Sequence, residues 1–252
     1  MVKNKTAIII PCRYASHRLP GKPLAQISGY PMVYWVWRRC KRSRVCSTII
    51  VATDDTRIQK VAEAFGAYVV MTSKKHENGT ERVAEVVKGM KAPPQIVINI
   101  QGDQPFIDAD VIDDMIRTME KDQRINMLTL KKRITDDADL TNPNIVKVVD
   151  DFYGNAIYFS RHPIPYYRDK DADKSQFYKN IGAYAYRKVF LFKFTRMKRG
   201  RLEQAEKLEQ LRVLENGYAL RVLETGLDIP SVDTHIDLIF ARRYAKSHHL
   251  AP

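Results

Sequence analysis

Four short apolar runs recur along the first part of the chain, and their spacing leaves few folds open. Thr6-Ala7-Ile8-Ile9-Ile10, Thr48-Ile49-Ile50-Val51-Ala52-Thr53, Tyr68-Val69-Val70-Met71 and Ile96-Val97-Ile98-Asn99-Ile100 are continuous rather than alternating. A strand that is apolar on both sides needs cover on both faces. Helical spacing fills the gaps: Pro31 to about Arg42, Thr56 to Phe65 ending at Gly66, and Thr80 to Met90 through Val83, Val86 and Val87. Another helix, Asp110 to Met119, follows the fourth run. Strands alternating with helices predict an α/β fold, a mostly parallel central sheet with helices on both faces. Such sheets bind ligands beyond the carboxyl ends of their strands. The loops after Ile10, Thr53, Met71 and Ile100 are therefore where chemistry is expected.

From Val146 the pattern changes. Val146 to Val149 and Ala156 to Phe159 read as antiparallel strands joined by a turn around Gly154. A polar stretch from Tyr167 to Gln176 precedes a strand at Ile181 to Tyr186. Arg201 to Glu215 reads as one helix with Leu202, Ala205, Leu208, Leu211 and Leu214 on its apolar face, stopped by Gly217. The chain returns through Ala219 to Leu223 and ends in a helix from His235. The expectation is a single domain over 1–252. A smaller β-rich and helical insertion at about 146–217 would cap a nucleotide site or form a dimer surface.

The formal net charge is +13, which raises the local concentration of anionic partners. The densest cluster, Arg38-Arg39-Cys40-Lys41-Arg42-Ser43-Arg44, reads as a solvated helix end, where cations suit the dipole. No aromatic-interleaved basic platform accompanies it, so nucleic acid is not an expected partner. Cys12, Cys40 and Cys46 lack metal-type spacing and read as reduced thiols. The N-terminal residues carry no apolar signal core, and no run approaches membrane-spanning length. A cytoplasmic protein with no membrane partner is expected.

The loop after the first strand carries Arg13, Arg18 and Lys22 around Gly21. The two guanidinium groups can clamp phosphate oxygens bidentately and Lys22 adds a point charge. The plainer reading is a basic surface loop. Neither the GxGxxG nor the GxxxxGK[ST] pattern is present, which weighs against a dehydrogenase or a P-loop enzyme. Asp103, just past the fourth strand, can hold a hard cation that also binds phosphate oxygens, or can serve as a turn residue.

The run RYASHRLPGKPL, from Arg13 to Leu24, followed by PMVYWVW, resembles the N-terminal signature of the 3-deoxy-manno-octulosonate cytidylyltransferases. VATDD, HENGTERVAEVV, INIQGDQPFI, NPNIVKVV, YFSRHPIPYYR, NIGAYAYR, EKLEQLRVLENG and VDT continue the likeness in order to Thr234. The resemblance implies a Rossmann-like nucleotide-diphospho-sugar transferase fold, a Mg²⁺ requirement and a homodimer. It implies transfer of CMP from CTP to the anomeric hydroxyl of an acidic 3-deoxy sugar (Kdo or a close variant), for lipopolysaccharide or capsule synthesis.

Carried over residue by residue, it makes Asp103 and Asp233 the metal carboxylates, with Arg13 and Lys22 as catalytic partners. CTP would be held by Arg13, Ser16, Arg18, Lys22, Gly79, Thr80, Arg82 and Gln101. At the His76 to Arg82 loop the plainer reading is a helix start capped by Thr80. Arg161 would pair with the sugar carboxylate, while Asn180, Tyr184, Glu209 and Gln210 would meet its hydroxyls; Glu209 and Gln210 also fit a solvated helix face.

Three positions depart from the family: Cys12 and Asn78 stand where Ala and Ser are common, and Asn180 replaces a usual His. A neutral amide changes the donor geometry offered to the sugar. An 8-amino variant of Kdo, a nonulosonate or a phosphonate is thus an alternative substrate, and a non-catalytic nucleotide-binding module is the alternative outside enzymes.

Overall fold

The opening run becomes β1 (Thr6–Cys12), buried along its whole length. The structure, a computed structural model, describes residues 5–15, 18–169, 177–227 and 229–251. A ribbon of β2 (Gln26–Ile27) and β3 (Tyr30–Pro31) leads into α1 (Met32–Cys40). Then follow β4 (Ile49–Thr53), α2 (Thr56–Ala64), β5 (Tyr68–Met71), α3 (Gly79–Gly89), β6 (Ile96–Ile100) and α4 (Ala109–Lys121). The chain divides into two compact units, Met1–Thr118 with Ile229–Pro252, and Met119–Asp228. The second is wider than the expected insertion at 146–217.

In the first unit four strands run parallel in the order β6-β1-β4-β5. Every residue of β1, β4 and β6 is buried, which requires cover on both faces, while the edge strand β5 is partly exposed. The sheet grows outward from β1 through β4 to β5. The connection through α3 then carries β6 back to the other side of β1. Strand order thus reverses between β1 and β6, so the loops leaving their carboxyl ends flank the crevice where doubly wound sheets bind ligands.

The second unit holds β7 (Met127–Arg133), α5 (Asp137–Thr141), β8 (Lys147–Asp150), β9 (Ala156–Ser160), β10 (Tyr178–Arg187), α6 (Lys188–Phe194), α7 (Arg201–Glu206), α8 (Leu211–Glu215) and β11 (Arg221–Glu224). Its pairing is mixed. β11 runs parallel to β7, whereas β7 with β10, β10 with β8, and β8 with β9 are antiparallel. The sequence reading leaves out β7, whose apolar start passes into Lys131-Lys132-Arg133. Tertiary structure absorbs the first of these charges: Lys131 is buried and donates to both carboxylate oxygens of Asp150 at 2.8 Å.

The helix expected from Arg201 to Glu215 is two helices. Lys207 takes a left-handed conformation at φ 54°, ending α7, and the chain turns before α8. Leu202 and Ala205 of the expected apolar face are exposed, and Glu203 is buried in their place. The reason is an ion pair: Arg212, also buried, donates to the two Glu203 oxygens at 2.8 and 2.5 Å. Such a pair sets which face turns inward, because neither charge can be buried alone.

The last helix, α9 (His235–Ser247), completes the first unit. Thr234 and Asp237 form a reciprocal capping box at its start. Leu238, Ala241 and Ala245 join Leu19, Met32, Trp35 and Phe106 in one apolar cluster. Trp35 is fully buried, its indole N–H donating to the Ile27 carbonyl at 2.8 Å and its ring edge-on to Phe106 at 5.6 Å. Among the described residues no helix is long and apolar enough to cross a membrane.

Replacing Glu203 with Ala removes the carboxylate from a buried guanidinium, and should cost about 3–5 kcal/mol of stability. Urea unfolding of E203A against wild type measures this; a loss below about 1 kcal/mol would show that the pair does not hold α7 to α8.

Candidate active site

At the end of β1 the loop must turn back on itself to place its cations. Tyr14 does this. Its carbonyl accepts from the Gly21 N–H at 3.0 Å, and its ring lies 3.3 Å from the Arg57 guanidinium carbon. Gly21 has φ 68°, and a Cβ there would sit 3.2 Å from the tyrosine ring, so glycine is required for both reasons. Arg13 is exposed just past the strand. Ser16 lies outside the described residues. A single tight turn, Lys22–Leu24, follows Gly21.

Lys22 is the centre of the arrangement. Its ammonium donates to Asp103 Oδ2 at 2.7 Å and to Asp233 Oδ1 at 3.0 Å. Arg18 reaches the same Asp233 oxygen at 2.9 Å. Burial, the largest influence on Lys22, lowers its pKa, but the two carboxylates outweigh it and the net shift is upward. Asp103 follows β6, and Asp233 stands directly before the cap of α9. The Val232 N–H donates to the Asp103 carbonyl at 2.9 Å, and the Asp233 N–H to Asp237 at 2.9 Å. Backbone bonds thus fix both carboxylates. The two cations and two carboxylates that the sequence reading assigned to one site do converge.

Beside them lies the start of α3. Asn78, not Thr80, caps this helix: its Oδ1 accepts from the Glu81 N–H at 2.9 Å, while its own amide donates to Glu81 Oε1 at 3.0 Å. Thr80 is buried inside the first turn, with its hydroxyl 3.4 Å from Asn99 Nδ2. A Cβ on Gly79 would lie 3.2 Å from both Gln101 Oε1 and Pro11 Cγ, so the backbone of α3 meets Gln101 and the end of β1 closely. Arg82 follows in the same turn of α3. It is buried, donating to Asp54 Oδ2 at 2.9 Å and to the Thr72 hydroxyl, and so ties α3 to the ends of β4 and β5. Gly102 is a position that the sequence reading passed over: a Cβ there would lie 2.7 Å from Cys12 Sγ and 3.0 Å from the Pro11 carbonyl.

The second unit brings together most of the residues expected at the sugar. Asn180 Oδ1 accepts from Tyr184 Oη at 3.3 Å and from Gln210 Nε2 at 3.2 Å. Burial, followed by the charge of Glu209, pushes the Tyr184 phenol above its usual range. The break between α7 and α8 is what lets Gln210, at the start of α8, reach β10. Arg161 is otherwise engaged: its Nε donates to the Glu206 carbonyl at 2.7 Å and its Nη1 to the Pro143 carbonyl at 2.8 Å. Thr129, unremarked in the sequence, accepts from Asn180 Nδ2 at 2.9 Å. Recognising β7 as a strand would have been the signal for it.

A doubly wound parallel sheet, with cations and carboxylates gathered at its switch point, defines a nucleotide-handling α/β protein. A model of the cytidylyltransferase family matches residues 7–226. The 3-deoxy-manno-octulosonate cytidylyltransferase of Pelobacter propionicus is 47% identical over 248 residues, 95% of this chain and 96% of that protein. That of Geobacter sulfurreducens is 48% identical over 223 residues, covering 85% and 88%. A solved CMP:2-keto-3-deoxy-manno-octonic acid synthetase complexed with CTP superposes with a TM-score of 0.90 at 39% identity, covering 98% of this chain and 100% of its own. The chain belongs to the 3-deoxy-manno-octulosonate cytidylyltransferase family.

Two predictions follow from the strand ends. Burial, then the Asp103 charge, pushes the Cys12 thiol up to about 12, and burial pushes Cys46 up to about 11. Thiolate is the reactive form. Iodoacetamide at neutral pH should leave the native protein unlabelled and modify Cys12, Cys40 and Cys46 only after denaturation; rapid native labelling in a mass spectrum would contradict this. Gly102→Ala should cost about 1–3 kcal/mol by overpacking, and C12A/G102A should recover part of it. A G102A variant that melts with wild type would show that Gly102 has room for a methyl.

Proposed function

We propose that this protein transfers CMP from CTP to the anomeric hydroxyl of 3-deoxy-manno-octulosonate (Kdo), releasing pyrophosphate. The observation that carries the reading is the Lys22 ammonium held by both Asp103 and Asp233, with Arg18 on the second, at the β1–β6 switch point. The sugar oxygen forms a bond to the α-phosphorus as the bond from that phosphorus to the bridging β-phosphate oxygen breaks. The hydroxyl proton leaves to solvent. Positioning and charge neutralisation are the main demands of such a transfer, with no covalent intermediate on the protein.

The residues divide this labour. Arg13, Arg18 and Lys22 neutralise the triphosphate, and the α3 start with Gly79, Thr80 and Gln101 meets the nucleoside. Arg82 supports that helix start through Asp54. The two carboxylates fit Mg²⁺, a hard cation that binds through one or two carboxylates together with phosphate oxygens. Their place is already one where a cation, the lysine ammonium, is held. Magnesium bound by Asp103 and Asp233 would supply charge neutralisation at the phosphates. The sugar acid belongs to Asn180, Tyr184, Glu209 and Gln210 of the second unit, with Arg161 for its carboxylate through whatever its backbone bonds leave available.

A cytoplasmic location, where CTP is made, and a homodimer belong to the same proposal. Exposed Ile236, Ile239 and Phe240 on α9 supply apolar surface for an interface. The product would enter lipopolysaccharide or capsule.

Pyrophosphate release with CTP, Mg²⁺ and a panel of Kdo, 8-amino-Kdo, a nonulosonate and a phosphonate tests the reading. Kdo is expected to be turned over fastest. Release with another acid and none with Kdo would replace it. Asp103→Asn keeps the side-chain shape and should lower turnover by about 100-fold or more, with the folded structure retained by circular dichroism. Near-normal rates in D103N would remove this carboxylate from the reaction.

A further inference from the structure

The antiparallel ladder between β10 and β7 skips two residues. Asn180 stands opposite Lys131 and Ile181 opposite Leu130, but the next pair is Tyr184 with Thr129. Gly182 and Ala183 stand outside the register, so Tyr184 follows Ile181 by one ladder step and shares the face of Asn180. A bulge of this kind re-aims a side chain. The Ile181 and Ala183 carbonyls flank the bulge. The Thr129 hydroxyl, fully buried, lies 3.2 Å from the Ile181 carbonyl and 3.0 Å from that of Ala183.

The same hydroxyl oxygen accepts from Asn180 Nδ2 at 2.9 Å, and the Leu130 carbonyl accepts from the same nitrogen at 2.9 Å. The amide nitrogen also lies 3.4 Å from the Ile181 carbonyl, so every partner around it is an acceptor and both hydrogens point into the sheet. That fixes which way round the amide sits, and its Oδ1 is left to accept from Tyr184 and Gln210. Were the amide to turn over, Nδ2 would face Gln210 Nε2, donor against donor. Asn180 thus spends its donors on the sheet and its acceptor on two neighbours.

We infer that Thr129 is a positioning residue for recognition of the sugar acid, acting through Asn180 to hold Tyr184 and Gln210 in one donor–acceptor polarity. The inference rests on the proposed role of those residues at the sugar. A buried hydroxyl that sets the sense of an amide is invisible to substrates that never contact it, yet its loss disorders the groups that do. Polar sites discriminate sharply because mismatched hydrogen-bonding groups stay unpaired.

The test is the split between Michaelis constants for the two substrates. Thr129→Val keeps the shape and removes the hydroxyl; it should raise KM for Kdo about tenfold or more while KM for CTP stays within about twofold. Thr129→Ser retains the hydroxyl and should stay within about threefold of wild type for both. If T129V does not fold, Thr129→Ala is read in the same way. An unchanged KM for Kdo in the hydroxyl-free variant overturns the inference. So does an equal rise in both constants that T129S fails to rescue, the mark of a merely structural residue. Wild-type protein that turns over no sugar acid overturns the functional reading together with this one, whereas turnover with an unaltered T129V overturns this one alone.

Discussion

Two ionised carboxylates gathered at one point repel unless a cation lies between them, and in the first unit the Lys22 ammonium fills that place. At about 4 Å, like unit charges repel by about 4 kcal/mol at an effective dielectric near 20, enough to drive a loop apart. Asp103 and Asp233 are distant in sequence, yet both contact the Lys22 ammonium. Their positions are held by backbone bonds rather than by the charges: the Val232 N–H to the Asp103 carbonyl, and the capping box that fixes the start of α9. Packing of α9 with α1 and Phe106 holds those bonds in turn.

The arrangement also explains why the cations of the opening loop are not simply a basic surface. Arg18 and Lys22 are paired with the carboxylates that would hold a metal, so ligand-free charges balance locally. Under the proposed function, the phosphates of a nucleotide triphosphate would meet Arg13, Arg18 and Lys22, and its divalent cation would meet the aspartates. The excess of positive charge across the chain favours the approach of such an anion.

The polar cluster of the second unit has a different physical basis. The Thr129–Asn180–Tyr184–Gln210 network consists of uncharged groups ordered by donor and acceptor sense, with the Glu209 charge beside Tyr184. The departure from histidine at position 180 becomes intelligible in these terms. An amide offers two hydrogens to one side and an acceptor to the other, which suits a position facing the Thr129 hydroxyl and the Leu130 carbonyl of β7, both of which accept. The family resemblance implies a sugar contact for Asn180, Tyr184 and Gln210 but not for Thr129, and the bulge that unites them has no signature in composition or spacing.

Legibility along the chain follows the range of the forces involved. Strands β1, β4 and β6 could be read directly because complete burial demands continuous apolar residues. The phosphate loop and Asp103 could be read because the parallel sheet dictates where ligands sit. Failures lie where a long-range partner overrides local pattern. β7 is hidden because Lys131 is neutralised by Asp150, and the spacing of Leu202, Ala205, Leu208, Leu211 and Leu214 predicts one helix over 201–215 where the buried Glu203–Arg212 pair imposes two. The protein partners of Arg82 and Arg161 are equally long-range: one is buried against Asp54 and the other binds two backbone carbonyls.

By itself, then, the sequence determined the layered α/β plan, the cationic loop and the family, since hydrophobic periodicity and local motifs are properties of neighbouring residues. Only the tertiary structure decided which cation meets which carboxylate, where α7 stops, and which way the Asn180 amide faces. Those outcomes depend on groups far apart in the chain, and their energies exist only once the chain has closed around them.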